Sequence, residues 1–264
     1  MCTLILGVEV LGPNSIFLGA NRDESPERPA EGPGVLGAAP HVVGGRDSSA
    51  GGTWLAVREG RFAVALMNRR PTEPAPTGPA SPLRSRGLLC LDTASAPTEG
   101  AFLDTALESL RRHAYAHCSL VGVGTDGEAW WIHVGGGSGP PRVSGIPRGW
   151  HVITHEDLDD RSEPRTRAVL DALGDWVPAT AELAIERIAR ILRRHNGEGA
   201  ESVCLHRDRF PTVSSSILAL GALGEPPKYL HAAGPPCMTP YADVSHLLAG
   251  KVPASGGSAP AAKD

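Results

Sequence analysis

The feature that most constrains this chain is the way it begins. Residues 2–10 and 15–20 are two runs rich in Leu, Ile, Val and Phe, parted by the triplet Gly12-Pro13-Asn14. Apolar runs joined by such a turn read as an antiparallel strand pair, so the chain starts inside a sheet. Position 2 is a cysteine. Methionine is ordinarily trimmed before a small second residue, which would leave a thiol and a free α-amine on one residue. The thiol titrates near about 8.5 and the amine near about 7.7–8.0, so close to neutrality the amine can take the thiol proton without a histidine. The same amine can later protonate a leaving nitrogen. Read structurally instead, Cys2 is a small strand residue.

The second run ends in Asn21-Arg22-Asp23-Glu24. The hairpin folds this polar end back beside Cys2. There Asp23 can hold the α-amine by a charge-assisted hydrogen bond, Arg22 can favour thiolate or bind a substrate carboxylate, and Asn21 can orient either. The alternative is an Asx turn with solvated charges, Glu24 included, ahead of Pro26 and Pro29. Two later residues join the candidates. Trp54, in Gly51-Gly52-Thr53-Trp54, offers an aromatic wall to a substrate or is simply core. Asn68, at the end of an apolar run, has an amide able to donate to an oxyanion, although Asn is also a common turn residue.

Other chemistries find less support. A net charge of −4 with dispersed arginines gives no electrostatic footprint for nucleic acid. No apolar stretch reaches the roughly 18 residues of a membrane helix. The five cysteines, 2, 90, 118, 204 and 237, are odd in number and contain no Cys-x-x-Cys pair, so reduced thiols are expected. Histidines at 113, 117, 133, 151, 155, 206, 231 and 246 match no zinc spacing, and Cys204-Leu205-His206 alone is too little, so no metal site is expected. Ser214-Ser215-Ser216 lacks a nucleophile elbow. The start has no basic n-region and carries Glu9 within its apolar stretch, which predicts a cytoplasmic protein. Arginine outnumbers lysine, which occurs only at 228, 251 and 263, as in a GC-rich bacterial source.

Further hairpins are predicted at 53–57 with 62–68 and at 119–124 with 128–134. Helical spacing covers 103–110, 165–173 and 184–192, the last stopping near Asn196-Gly197. Apolar runs at 202–206, 212–220 and 229–232 read as strands. Strands, then helices, then strands again suggest an α+β layered sandwich formed by one domain over residues 1–251. The Pro-rich segment 71–82 reads as a loop and residues 252–264 as a disordered tail.

Taken together, Met1-Cys2, Asn21-Arg22-Asp23-Glu24, Arg28-Pro29 and Gly51-Gly52-Thr53-Trp54-Leu55 closely resemble the NRDE family, also called the transport and Golgi organisation 2 family. The match is specific over the first 70 residues. Further on, Pro211-Thr212-Val213-Ser214-Ser215 is similar to the family's Tyr-Gly-Thr-Arg-Ser-Ser region, with Val213 where Arg is common. The resemblance implies the four-layer αββα sandwich of two antiparallel sheets found in N-terminal nucleophile hydrolases, including cysteine acylases acting on penicillin V and conjugated bile acids. Those acylases carry an Arg-Asn-x-Asp strand end, so Asn21 and Asp23 match while Ala20 stands in place of Arg. Asn68 resembles one of their oxyanion donors. His155, after Thr154, stands where they have a second Asn.

The resemblance implies a hydrolase or acyltransferase acting on a non-peptide amide C–N bond of a small molecule. Cys2, Asp23, Asn68 and His155 would be catalytic, Asn21, Arg22, Glu24 and Trp54 substrate-binding, and no cofactor is needed. A different class of function is also implied, since eukaryotic members are associated with haem mobilisation and lipid metabolism. On that reading the chain is a non-enzymatic carrier of haem or another hydrophobic ligand.

Overall fold

The leading hairpin forms as its alternation dictates. Strands β1 (Thr3–Val8) and β2 (Ile16–Asp23) pair antiparallel, with Thr3 opposite Asn21 and Val8 opposite Ile16. At the tip Gly12 and Asn14 take positive φ, and the Glu9 carboxylate accepts from the Asn14 N–H at 3.1 Å. This is a computed structural model, and it describes residues 2–70, 83–98, 100–135, 140–195 and 199–250.

The chain continues through β3 (Ala30–Ala38), β4 (His41–Asp47), β5 (Leu55–Arg58) and β6 (Phe62–Asn68), then helices α1 (Arg86–Ala94) and α2 (Phe102–Arg112). Strands β7 (Cys118–Gly124), β8 (Ala129–Val134), β9 (Arg142–Gly145) and β10 (Gly149–Ile153) follow, then α3 (Pro164–Leu173), α4 (Ala181–Leu192), β11 (Thr212–Leu220), β12 (Lys228–Ala232) and β13 (Ala242–Asp243). Two antiparallel sheets result, ordered β10-β1-β2-β11-β12-β13 and β3-β4-β5-β6-β7-β8-β9.

Strand periodicity sorts the apolar side chains into three cores. Even-numbered residues of the first hairpin, Leu4, Leu6, Ile16 and Leu18, pack between the sheets against Val43, Leu55, Val57 and Val121. Odd-numbered Ile5 and Phe17 face the opposite way, onto Val169, Leu173, Ile188 and Leu192 of α3 and α4. Val64, Leu120 and Trp130 of the second sheet meet Leu89 and Cys90 of α1 and Phe102 and Ala106 of α2. The layers are therefore helices, sheet, sheet, helices, an αββα sandwich of the α+β class.

Both helices behind the first sheet have side-chain caps. Glu163 accepts from the Thr166 N–H ahead of α3, with Pro164 at its first turn, and Thr180 accepts from the Leu183 N–H ahead of α4. α4 lies so close to β2 that a Cβ on Gly19 would come within 2.2 Å of the Ile188 methyl.

Segment 202–206 is a correction to the sequence reading, because it is not a strand. The Val203 and Cys204 N–H groups donate to the Arg194 carbonyl, and the Val203 carbonyl accepts from Asn21. These bonds occupy backbone groups that a strand would offer to a neighbour. β3, β4, α1, β9 and β10 are elements that periodicity did not single out. The segment 71–82 and the tail 252–264 lie outside the described residues.

Candidate active site

Cys2 leads directly into β1, and its side chain follows the even-numbered face toward the space between the sheets. It lines a cavity of about 560 Å3 together with Arg22, Glu24, Trp54 and Asn68. Five of the eight residues expected to form the site thus share one pocket. The strands explain the convergence: Cys2 and Arg22 sit opposite one another by continuation of the β1–β2 register, and Asn68 closes β6 in the facing sheet. The Arg22 guanidinium lies 4.4 Å over the Trp54 ring, a cation–π contact that holds it flat against the cavity wall.

The remaining three are placed elsewhere. Asn21 is buried on the odd-numbered face, where its amide donates to the Leu192 carbonyl at 2.9 Å and the Val203 carbonyl at 3.0 Å. It therefore braces β2 against the helical layer instead of touching the cavity, a correction that follows from the two-residue strand period. Asp23 shares that face. Its carboxylate accepts from Thr212 Oγ1 at 2.7 Å and lies 3.5 Å from Arg165 Nη1 of α3. Its own carbonyl is 4.0 Å from Cys2 Sγ.

His155 follows β10, whose pairing sets Leu4 against Ile153. Continuing that register by two residues brings His155 opposite Cys2 on the side away from Arg22. The imidazole is buried, with Nε2 3.3 Å from a Glu156 carboxylate oxygen and Nδ1 without a hydrogen-bond partner. Arg69 ties this corner to the second sheet, donating to the Glu156 carbonyl at 2.6 Å and pairing with Asp157 at 2.5 Å. The ends of β6 and β10 are thereby clamped at one rim of the sandwich.

Burial dominates the electrostatics. It pushes the Cys2 thiol above its usual range, and the Asp23 charge adds to the effect while Arg22 opposes it. The resting sulfur therefore keeps its proton, and a base has to take it as the bond forms. Burial also raises Asp23 to about 6, against the Thr212 hydrogen bond and the Arg165 charge that lower it. His155 moves the other way, held down to about 4 by burial and then by Arg70. It is thus a neutral imidazole at neutral pH.

The His155 shift has a stability consequence whose sign is fixed. The folded value lies below the 6.5 of the free side chain, so between pH 6.5 and 4 the unfolded chain binds the extra proton. Stability attributable to His155 is complete above pH 6.5 and declines as pH falls toward 4, by on the order of 2–3 kcal/mol. Asp23, raised in the fold, tilts the same window the opposite way, so the two are separated by substitution. We expect urea unfolding of a His155→Asn variant to lose less stability than the parent between pH 6.5 and 4.5. An identical decline in both proteins would show that the imidazole is not held neutral.

Other lining residues escaped the sequence reading. Arg28, Asp47, Arg84, Arg86 and Phe210 come from four segments, and only Arg28 stood in a motif. Arg28 pairs with Asp47 at 2.6 Å, and Arg86 donates to the His117 carbonyl at 3.0 Å. One wall depends on glycine: a Cβ on Gly52 would lie 2.2 Å from the Gly87 carbonyl carbon, where the Thr53 N–H donates to Gly87 at 3.0 Å. Backbone stands on both sides, so Gly52→Ala is expected to cost about 1–3 kcal/mol and displace the start of α1. Chemical denaturation beside Gly51→Ala would check it, since a Cβ at position 51 meets no atom but sits at a φ of +72°.

The paired antiparallel sheets enclosed by helices are shared with solved structures of an amidase and a hydrolase. A C. elegans ortholog of N-acylethanolamine-hydrolyzing acid amidase is similar at 17% identity and a TM-score of 0.51, over 85% of this chain and 94% of that one. A C2A mutant of conjugated bile acid hydrolase from Clostridium perfringens is similar at 11% identity and a TM-score of 0.51, over 93% of each chain. At these identities the likeness concerns the fold alone. No curated protein sequence matches. The profile of the family described as Transport and Golgi organisation 2 matches residues 1–217, and the chain belongs to that family.

Proposed function

We propose that this protein is a cysteine hydrolase or acyltransferase acting on a non-peptide amide bond of a small molecule, with Cys2 as nucleophile after removal of Met1. One observation carries the reading: Cys2 lines a cavity of about 560 Å3 with Asn68 and Arg22, its sulfur 4.0 Å from the Asp23 backbone carbonyl. The acid amidase and the conjugated bile acid hydrolase of like fold support it, the latter being a C2A mutant.

In this mechanism the freed α-amine accepts the thiol proton as sulfur attacks the amide carbonyl carbon. The carbonyl oxygen becomes an oxyanion, which the Asn68 amide and a backbone N–H stabilise. When the tetrahedral centre collapses, the C–N bond breaks and the α-ammonium protonates the departing nitrogen. The resulting thioester passes its acyl group to water, regenerating the thiol and releasing a carboxylic acid, or to a second amine in acyl transfer. Asp23 holds the α-ammonium, and neutral His155 supplies an N–H to the polar rim. Arg22, flat on Trp54, receives a substrate carboxylate, with Glu24 beside it.

The alternative, a non-enzymatic carrier of haem or another hydrophobic ligand through histidine and cysteine side chains, would use the same cavity, whose lining includes Cys2. Intact-mass analysis of the purified chain, before and after incubation with a lactam or thiol-reactive amide analogue, tests the proposal. The expected result is a mass lacking Met1 and a single adduct mapped to Cys2. Fully retained Met1 in protein that turns over amides would eliminate the free-amine mechanism.

A further inference from the structure

Away from the cavity, the fold gathers cysteine and histidine side chains from three separate segments. Cys204 and His206 lie on the irregular segment ahead of β11, Cys237 lies in the turn after β12, and His195 follows the end of α4. Cys204 Sγ is 3.5 Å from Cys237 Sγ and 3.9 Å from His206 Nε2. His206 Nε2 is 3.1 Å from Cys237 Sγ. Ligand atoms of His195, His206 and Cys237 all fall within 4.8 Å of one another.

The three separations among Cys204, Cys237 and His206 are near the edges of a tetrahedral metal cage, and His195, which is grouped with His206 and Cys237 but not with Cys204, has to turn inward to supply the fourth corner. Bonds of about 2.3 Å to sulfur and about 2.0 Å to nitrogen imply S···S edges of about 3.8 Å and S···N edges of about 3.5 Å. The observed sulfur–sulfur edge and the mean of the two sulfur–nitrogen edges each fall within a few tenths of an ångström of those figures. Cys204 and His206 are two residues apart on the irregular segment, and the 3.9 Å between Sγ and Nε2 shows both side chains on one side.

We propose that Cys204, Cys237, His206 and His195 bind one Zn2+ as a structural site. Two thiolates and two neutral imidazoles are the mixed sulfur–nitrogen set that this ion accepts, and two thiolate charges cancel its own. Binding releases two thiol protons to solvent. With four protein ligands the ion has no open position, so it is a staple and not a catalyst. Exposed His195 and His206 give it a way in, while Cys204 anchors it to the buried side.

The staple reaches β2 through the chain it holds. The Leu205 N–H donates to Thr212 Oγ1 at 2.8 Å, and Thr212 Oγ1 donates to Asp23 at 2.7 Å. The adjacent Val203 carbonyl accepts from Asn21. Zinc at this point fixes the irregular segment that orients Asn21 and Asp23 of β2. The residues were hidden from the sequence because His195 and Cys237 stand far from the Cys204-Leu205-His206 pair, so no zinc spacing appears.

Elemental analysis of full-length protein, produced with supplemental zinc and purified without chelator, tests the assignment. One zinc per chain is expected, falling below about one tenth in Cys237→Ser and in His206→Ala. Cys2→Ala is expected to keep its zinc, which separates this site from the proposed nucleophile. Cobalt exchanged into the parent protein should show ligand-field and thiolate charge-transfer bands of a tetrahedral site, a readout that needs no variant to fold. Metal-free protein with a Cys204–Cys237 disulfide would overturn the proposal. So would zinc that survives Cys237→Ser or departs with Cys2→Ala.

Discussion

Cys2→Ala is expected to fold like the parent protein and to lose amide turnover by about 10^4- to 10^6-fold, the scale on which removing a covalent nucleophile acts. The side chain removed is one half-buried sulfur at the head of β1, so the hydrophobic loss is small beside the chemical one. Cys2→Ser is the sharper test. It keeps the α-amine, the cavity and a nucleophilic atom, but the hydroxyl proton is far harder for an amine to take. We therefore expect Cys2→Ser to bind substrate with KM near the parent value while kcat falls at least about 10^3-fold. Steady-state turnover of a panel of acyl amides, with urea unfolding on the same samples, measures both effects. Full activity in Cys2→Ala would remove the thiol from the reaction.

Asp23→Asn is expected to cost more in stability than any other single change at the site. Arg165 is the largest fully buried side chain, and Asp23 is its only ion-pair partner among the described residues. Arg165 also donates to Thr3 Oγ1 at 3.2 Å, but a hydroxyl does not neutralise a guanidinium. Leaving that charge buried and unpaired is expected to cost about 3–5 kcal/mol. The double variant Asp23→Asn with Arg165→Met removes both charges and should recover most of the loss. If Asp23 also holds the α-ammonium, amide turnover stays low in the double variant although its fold is restored. Recovery of turnover together with stability would make Asp23 a purely structural residue.

Much of the architecture was legible because strand periodicity is strong in this chain. Phe62–Asn68 and Thr212–Leu220 form the strands their apolar runs indicate, with the same bounds. β3 was not legible, since Glu31-Gly32-Pro33-Gly34 breaks the alternation and most of the strand is exposed, leaving no apolar face to read. β10 was missed because its five residues begin with Gly149 and Trp150 and continue through His151, a mixture without period. Segment 202–206 misled in the opposite sense. Its apolar residues are buried by side-chain and turn contacts, which composition cannot tell from a strand.

The site divides along the same line. Cys2, Arg22, Glu24, Trp54 and Asn68 line one cavity because each stands on a strand, or at the end of one, whose direction the sequence reveals. Asn21 could have been placed correctly from the same periodicity, since it alternates with Ala20 and Arg22. Arg165 could not. It is one arginine among many, and only packing of α3 against the first sheet shows that it meets Asp23.

The position of β1 carries a last implication, for how the molecule breathes. Its six residues are all buried, and it is hydrogen-bonded to β2 on one edge and β10 on the other. Its amides can exchange with solvent only when the whole sandwich opens, whereas β9, fully exposed at the end of the other sheet, needs only a local opening. Cys2 thus stands one residue ahead of a strand that is paired on both edges. If Cys2 attacks as proposed, substrates of different shape have to be met by the loops across the cavity, because the residue beside β1 has little room to follow them.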